Sequence, residues 1–299
     1  MPMTVINPQI SVIIPVFNGA VFLAETLESI IQQDWCPLEI LVIDDGSTDY
    51  TAAVAAKFSR QVRYVHQANQ GAASARNYGI QLAQGGVLTF LDADDLWMPD
   101  KLARQMQMMQ AEPTCEAVLG GVKNFISPEL DERQRQILAK SAAQTGNLHI
   151  GSMLIRRDAF LRVGLFNTRW RHGEFIDWWA RAMRVNLIYK ILPEVVLLRR
   201  LHTSNMTRRE KDGRKEYLPM LRELLAQRRA TATQTKNSDT EEIYAKHHTD
   251  RASPCSIPER AECQGGISDL AVRHRPEPPA AQPICTVAHA LSQSGSDGH

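Results

Sequence analysis

Four short apolar segments in the first 95 residues restrict the fold of this chain more than any other feature of its sequence. They cover residues 10–16, 38–43, 62–66 and 87–91. Continuous apolar runs of this length are typical of parallel strands that are buried on both faces. The intervening segments predicted as helices are 22–33, 50–58 and 72–83. Because parallel strands need such crossovers, the pattern predicts an α/β fold, with an open, doubly wound, mostly parallel sheet flanked by helices.

Three of these strands run directly into polar or turn residues, in the stretches PVFNG, DDGSTD and DADD. In open α/β sheets, ligands bind at the carboxyl ends of the strands. The three loops are therefore expected to meet at one edge of the sheet and to form a binding site there.

The rest of the chain is less regular. Predicted helices cover 99–110, 157–163, 175–185 and 217–228, and predicted strands cover 117–125, 150–155, 188–192 and 195–200. The polar segment 127–141 is predicted as a surface excursion. Residues 229–299 lose apolar periodicity and are expected to form a disordered tail, because they cannot bury enough apolar surface to offset the entropy of ordering.

Composition excludes several classes of protein. The formal net charge of +1 provides no overall field for nucleic acid, so an anionic ligand needs a local site. Five cysteines without a CxxC pair speak against a disulfide framework or a structural zinc site. The first apolar stretch is too short for a secretory leader, and no segment approaches the roughly 18 apolar residues of a membrane span. We therefore expect a cytoplasmic protein with no nucleic-acid partner, and peripheral membrane contact is left open.

The pair Asp92 and Asp94 directly follows a predicted strand. Two carboxylates held this close repel each other unless a cation neutralises them, and a hard divalent cation with oxygen ligands also binds phosphate oxygens. The alternative is a solvated acidic turn in which Asp95 caps a helix that begins near Leu96.

Two further stretches carry candidate binding residues. In Asp44-Asp45-Gly46-Ser47, a carboxylate can accept hydrogen bonds from a base or ribose, although the same residues also form turns and helix caps. In 69–77 (NQGAASARN), small residues open a helix, and Arg76 follows near its first turns. Helix N-termini and arginine both bind phosphate. The alternative is close packing of this helix against the sheet.

The order of these motifs, PVFNG, DDGSTD, NQGAASARNYGI and LDADD, resembles the family 2 glycosyltransferases of the GT-A fold. The resemblance continues through segments 151–157, 163–167, 173–181 and 199–205, and it covers about three-quarters of the chain. It implies a GT-A domain over 1–228, with a nucleotide-binding half at 1–112 and an acceptor-binding half at 113–228.

The resemblance also implies roles for individual residues. Those implied in donor binding are Pro15, Phe17 and Asn18 at the nucleotide, Asp44 or Asp45 at the base, Arg76 near base or phosphate, Asp92 on the ribose side and His202 near the metal or diphosphate. The base is usually uracil in relatives. Asp94 would bind Mn²⁺ or Mg²⁺ through the donor diphosphate.

One position departs from the family pattern. Relatives often carry Gly-Glu-Asp where this chain has Gly173-Glu174-Phe175, and that aspartate is the usual general base. Glu174 and Asp177 are three residues apart and can share one helix face. Either is a candidate for the base, while the alternative is helix capping by Glu174 and an ion pair of Asp177 with Arg181.

The implied reaction is an inverting, metal-assisted transfer of a sugar from a nucleotide donor, with UDP as the expected nucleotide, to an acceptor hydroxyl. The acceptor is a glycan, lipid, peptide or small molecule. Three alternatives remain at this point: a nucleotidyltransferase, a non-catalytic nucleotide-sugar binding module, and a structural or interaction role. The first lacks the Gly-rich basic loop that it would normally carry after the first strand.

Overall fold

The computed structural model describes residues 9–143, 145–203, 219–220 and 222–223. The strands are β1 (Ile10–Val16), β2 (Leu38–Asp44), β3 (Val62–His66), β4 (Val87–Phe90), β5 (Leu96–Trp97), β6 (Ala117–Ile126), β7 (Thr145–Gly146), β8 (Leu154–Arg156) and β9 (Tyr189–Leu201). The α-helices are α1 (Leu23–Ile31), α2 (Thr51–Ala56), α3 (Ala72–Leu82), α4 (Lys101–Ala111), α5 (Glu132–Ala142), α6 (Arg157–Val163) and α7 (Glu174–Arg184), and a short 3-10 helix covers Ile150–Ser152.

Within the described residues, the nine strands form one sheet in the order β3-β2-β1-β4-β8-β6-β9-β5, with β7 paired to β6. The strands β1 to β4 are parallel to one another, and the β6–β9 pair is also parallel. Strand β8 joins these two parallel groups through antiparallel pairing with β4 and β6. The predicted fold class, a mostly parallel α/β sheet flanked by helices, is confirmed.

Both faces of the central strands are buried, which explains why their sequences are continuously apolar. In β1, Val12 and Ile14 pack with Leu27 of α1, while Ile13 belongs to the cluster on the opposite face. That second cluster includes Ile80 of α3. The sheet thus has helices on both sides, and the side chains available for chemistry lie in the loops at the strand ends.

The structure differs from three interpretations of the sequence at the level of local structure, or adds to them. The segment 127–141 contains helix α5, which begins with a capping box between Asp131 and Gln134. The two predicted late strands form the single strand β9, which has a register irregularity opposite Gly121. Asp95 does not cap a helix, because Leu96 begins strand β5 instead. The predicted tail at 229–299 and most of the predicted helix 217–228 lie outside the described residues.

Candidate active site

The loops that follow β1, β2 and β4 meet at one edge of the sheet, as the parallel pairing of these strands requires. The Asn18 Oδ1 atom accepts the N–H of Thr48 at 2.8 Å, and the Asn18 N–H donates to Ser47 Oγ at 2.8 Å. On the other side, a Cβ atom at Gly19 would lie 3.6 Å from the Cβ of Ala93. The loop after β1 therefore contacts both neighbouring loops.

Asp44 and Asp45 are buried and accept hydrogen bonds within the protein. Asp44 accepts the Ser47 N–H at 2.7 Å and the hydroxyl of Tyr64, and burial together with this carboxylate raises the pKa of Tyr64. Asp45 accepts the backbone N–H groups of Gln70 at 2.8 Å and Gly71 at 2.7 Å. These bonds shape the loop that leads into α3, and a contact of either carboxylate with a base stays a prediction.

The predicted nucleotide-pocket residues at the end of β1 differ in exposure. Pro15 is buried within the strand, whereas the Phe17 ring is 52% exposed. An exposed aromatic ring at the carboxyl end of a strand offers a face for stacking on a base. Asn18 has a positive φ of 51° and turns the chain toward α1.

Arg76 joins the donor-side and acceptor-side candidates. It is buried in α3, and its guanidinium nitrogens lie 2.6 Å from Asp92 Oδ1 and 2.6 Å from Glu174 Oε1. Burial alone would raise the pKa of Asp92, but the Arg76 charge overcomes this effect and holds that pKa below its usual range. The Arg76 Nε atom is buried without a hydrogen-bond partner in the part of the chain that the structure describes. The ion pairs bring the loop after β4 to the first turn of α7.

Asp94 lies beside His202, which follows β9. The Asp94 Oδ2 atom is 2.9 Å from His202 Nε2, and the carbonyl of Asp94 accepts the Arg200 Nε–H at 2.8 Å. Neighbouring Asp95 is buried and accepts the Arg200 N–H at 2.8 Å. Burial, Asp94 and Asp92 together raise the pKa of Asp95 well above its usual range. A concentration of acidic groups of this kind is electrostatically suited to a cation.

Asp177 serves the packing of α7. Its carboxylate lies 3.0 Å from the Arg181 Nε atom, and the Arg181 guanidinium donates to the carbonyls of Val163 and Leu165. Phe175, at the position of the family's aspartate, is also buried and packs near Trp178. Of the two base candidates, Glu174 contacts Arg76, whereas Asp177 pairs with Arg181. Because Arg76 also binds Asp92, this contact links Glu174 to the acidic loop after β4.

His149 is a site residue that the sequence did not indicate. One of its ring nitrogens and one carboxylate oxygen from each of Asp92 and Asp95 lie within 4.8 Å of one another. Burial lowers the pKa of His149, and the positive charges of Arg199 and Arg76 lower it further against the opposing effect of Asp92. His149 comes from a part of the sequence without a recognisable motif, so only the fold brings it to this edge.

None of the helices in the described ranges combines the length and apolar character needed to cross a membrane.

Comparisons with known proteins identify the family of this chain. The family model described as glycosyl transferase family 2 matches residues 11–192. An uncharacterized glycosyltransferase of Rickettsia typhi is 28% identical over 222 residues, which cover 71% of this chain and 70% of that protein. The uncharacterized glycosyltransferase YibD of Escherichia coli is 34% identical over 180 residues, which cover 59% of this chain and 50% of that protein.

Two solved structures share the fold. TarS of S. aureus in complex with UDP matches with a TM-score of 0.52 and 20% identity over 65% of this chain. The mannosyltransferase PcManGT of Pyrobaculum calidifontis, in complex with GDP-Man and Mn²⁺, matches with a TM-score of 0.52 and 25% identity over 67% of this chain. The chain spans 61% and 59% of the lengths of these two structures.

The family model covers more than half of the chain, and the matched range includes the loops at the carboxyl ends of β1, β2 and β4. The predicted enzyme class, a glycosyltransferase, is thereby confirmed. The donor, the stereochemical outcome, the metal and the individual site residues stay predictions. The chain belongs to glycosyl transferase family 2.

Proposed function

We propose that this enzyme transfers a sugar from a nucleoside diphosphate donor, expected to be a UDP-sugar, to an acceptor hydroxyl with inversion at the anomeric carbon. The observation that carries the proposal is the double ion pair of Arg76. Its guanidinium lies 2.6 Å from Asp92 and 2.6 Å from Glu174. Asp92, which is proposed to face the donor, and Glu174, a candidate base, are therefore both bound to one arginine.

In the proposed reaction, Glu174 is the general base. Its carboxylate accepts the proton of the acceptor hydroxyl while the hydroxyl oxygen bonds to the anomeric carbon. The bond from that carbon to the diphosphate oxygen breaks, and its electron pair leaves with the nucleoside diphosphate. A single displacement inverts the anomeric centre. Asp177 is the weaker of the two candidates, because it pairs with Arg181 and not with Arg76, which also binds Asp92.

The residues at Asp94 and His202 fit a divalent cation. A carboxylate oxygen and an imidazole nitrogen lie 2.9 Å apart, and the Asp94 side chain is partly exposed to an incoming ligand. Carboxylate and imidazole ligands together are compatible with Mn²⁺, and carboxylate oxygens also bind Mg²⁺. When bound, such an ion neutralises negative charge on the leaving diphosphate. Burial and the carboxylates of Asp94 and Asp92 raise the pKa of Asp95 well above its usual range, and a bound cation would oppose this effect.

The solved neighbours are consistent with a nucleotide-sugar donor. TarS was solved with UDP and with UDP-GlcNAc, and PcManGT with GDP-Man and Mn²⁺. For this chain we propose that the exposed Phe17 ring stacks on the base and that Asn18, Asp44 or Asp45 contacts the nucleoside. The acceptor remains a glycan, lipid, peptide or small molecule, and the cytoplasmic location and any peripheral membrane contact stay predictions.

The proposal is tested by nucleoside diphosphate release from a panel of UDP- and GDP-sugars, with candidate acceptors, in Mn²⁺, Mg²⁺ or EDTA. We expect turnover with at least one donor, loss of turnover in EDTA, and product of inverted anomeric configuration by NMR. The Asp94→Ala variant should be folded and inactive. Turnover by this variant at the wild-type rate would refute the role of Asp94.

The second candidate function is a non-catalytic nucleotide-sugar binding module. Phe175, in place of the family's usual aspartate, favours it. Calorimetry with UDP and Mn²⁺, run beside the release assay, separates the two. Binding without release of nucleoside diphosphate from any donor would favour the binding module.

A further inference from the structure

His149 presents a hydrogen-bond donor that no described residue uses. Its Nδ1 atom accepts the N–H of Gly151 at 3.1 Å, which closes the first turn of the short 3-10 helix. A neutral imidazole whose Nδ1 is an acceptor carries its proton on Nε2. The described residues provide no hydrogen-bond partner for this Nε2–H group.

This tautomer argues against His149 as a metal ligand, although the ring lies near Asp92 and Asp95. Histidines that bind a metal through one nitrogen almost always donate the proton of the other nitrogen. Here the second nitrogen faces a backbone N–H donor instead, so a metal on Nε2 would leave Nδ1–H against Gly151 N–H. His149 is therefore built as a hydrogen-bond donor.

The turn that carries His149 is held in place by hydrogen bonds from other side chains. Trp97 Nε1–H donates to the Gly151 carbonyl at 3.0 Å, and Gln105 Nε2–H donates to the Ser152 carbonyl at 2.7 Å. The Ser152 hydroxyl donates to the His149 carbonyl at 2.8 Å. A ring supported in this way is preorganised, which lowers the entropy cost of contacting a ligand.

Asp92 supplies the complementary acceptor. Its Oδ1 atom is occupied by Arg76, whereas its Oδ2 atom has no hydrogen-bond partner among the described residues. A ring nitrogen of His149 and a carboxylate oxygen of Asp92 lie within 4.8 Å of each other. An acceptor and an N–H donor at this separation match a hydroxyl, which donates one hydrogen bond and accepts another. A phosphate fits less well, because it has no proton for Asp92 and is repelled by its charge.

We propose that His149 and Asp92 together recognise one hydroxyl of the donor, with His149 Nε2–H donating to the hydroxyl oxygen and Asp92 accepting its proton. This inference rests on the proposed function. It makes His149 a specificity-determining residue for the donor, with the hydroxyl on either the ribose or the transferred sugar.

Two substitutions test the roles of the two ring nitrogens of His149 separately. In H149N the amide oxygen can replace Nδ1 and keep the Gly151 cap, but the Nε2–H donor is lost. In H149Q the side-chain amide N–H provides a donor near the position of Nε2, while the hydrogen bond from the Gly151 N–H is lost. Since a neutral hydrogen bond contributes about 1 kcal/mol, kcat/KM of H149N should fall at least about fivefold. H149Q should recover most of this loss, and the thermal midpoint of H149N should match that of the wild type.

Deoxy donors locate the hydroxyl. With a donor that lacks the contacted hydroxyl, wild type and H149N should have equal kcat/KM, while every other deoxy donor keeps the fivefold difference. A ribose hydroxyl also predicts weaker binding of the nucleoside diphosphate alone by H149N, whereas a hydroxyl of the transferred sugar leaves that affinity unchanged. The proposal is overturned if H149N equals the wild type with the natural donor, or if H149Q is impaired as much as H149N.

Failure of the proposed glycosyltransferase function can be distinguished experimentally from failure of the His149 proposal. A wild-type chain that binds nucleotide sugars without releasing nucleoside diphosphate would refute catalysis, and the His149 contact would then be measured as a Kd at least fivefold weaker in H149N. A wild-type chain that binds no nucleotide sugar would overturn both.

Discussion

Glu174, the first residue of α7, has a carboxylate oxygen 2.6 Å from the guanidinium of Arg76 in α3, although the two residues are 98 positions apart in sequence. The Arg76 side chain is 5% exposed and that of Glu174 14%. Helix α7 is thus fixed to helix α3 through a buried ion pair, and this contact distinguishes Glu174 from Asp177.

Glu174→Gln is expected to lower kcat by at least about a hundredfold, because an amide cannot accept the acceptor proton. The matched change Asp177→Asn should instead lower the free energy of unfolding by about 1–2 kcal/mol, since it weakens a charged hydrogen bond to Arg181. Steady-state release of nucleoside diphosphate and urea unfolding measure the two effects. If Asp177→Asn lost turnover while Glu174→Gln kept it, Asp177 and not Glu174 would be the general base.

Arg76→Met is expected to destabilise the protein by about 3 kcal/mol, because it leaves the carboxylates of Asp92 and Glu174 without their shared cation in a largely buried place. The control is Arg104→Met. Arg104 pairs with Asp100 and Glu194 while about half exposed, so its removal should cost less than about 1 kcal/mol. Urea unfolding of both variants measures the two changes. Equal losses in the free energy of unfolding would show that the buried ion pairs of Arg76 contribute no more to stability than the exposed pairs of Arg104.

The sheet and most of its elements could be predicted from sequence because each depends on a local pattern. Strand β3 and helix α6 begin and end at the predicted residues. Helix α5 was missed although its signal is local, since Asp131 and Gln134 form a capping box that can be read from the sequence. Strand β9 was divided in two because it contains Pro193, which lies at the register irregularity and does not end the strand.

The site was predictable to the extent that its residues follow strands. Asp44, Asp45, Asp92 and Asp94 occupy strand ends, and topology alone brings those ends together. The contacts of His149 could not be predicted in the same way. Its position depends on the backbone N–H of Gly151 and on the support of that turn by Trp97 and Gln105. The contacts of Trp97 and Gln105 with this turn span 54 and 47 residues, and no local pattern in the sequence indicates them.

Asp94→Asn and His202→Asn are each expected to weaken the Mn²⁺-dependent binding of UDP by at least about tenfold, because each removes a candidate ligand from the 2.9 Å pair. Calorimetry of UDP binding in Mn²⁺ and in EDTA measures the difference. Asp100→Asn is the control, since this half-exposed carboxylate pairs with Arg104 away from the proposed ligands. If UDP binds the wild type equally well in Mn²⁺ and EDTA, the proposed metal dependence of donor binding is wrong.

Lys101 provides a test of stability against pH. Its side chain is fully buried. The Nζ atom donates to Gln105 Oε1 at 2.7 Å and to Thr89 Oγ1 at 3.2 Å, and it lies 4.2 Å from the centre of the Trp97 ring. Burial lowers the pKa of Lys101 well below the ordinary value of 10.5. Between the lowered pKa and 10.5 the unfolded chain binds a proton that the folded chain does not, so this residue makes stability increase as pH rises.

Lys101→Met is therefore expected to raise the free energy of unfolding at pH 7 by about 1–2 kcal/mol, because it removes the cost of burying an ammonium group or its neutral form and keeps most of the volume. The gain should shrink as pH approaches 10, where the unfolded chain also loses its proton. Lys140→Met, at an exposed position of α5, is the control and should change stability by less than about 0.5 kcal/mol at either pH. Urea unfolding of the three proteins at pH 7 and pH 9.5 measures both effects. A gain that is the same at the two pH values would show that Lys101 does not titrate differently in the folded and unfolded chains.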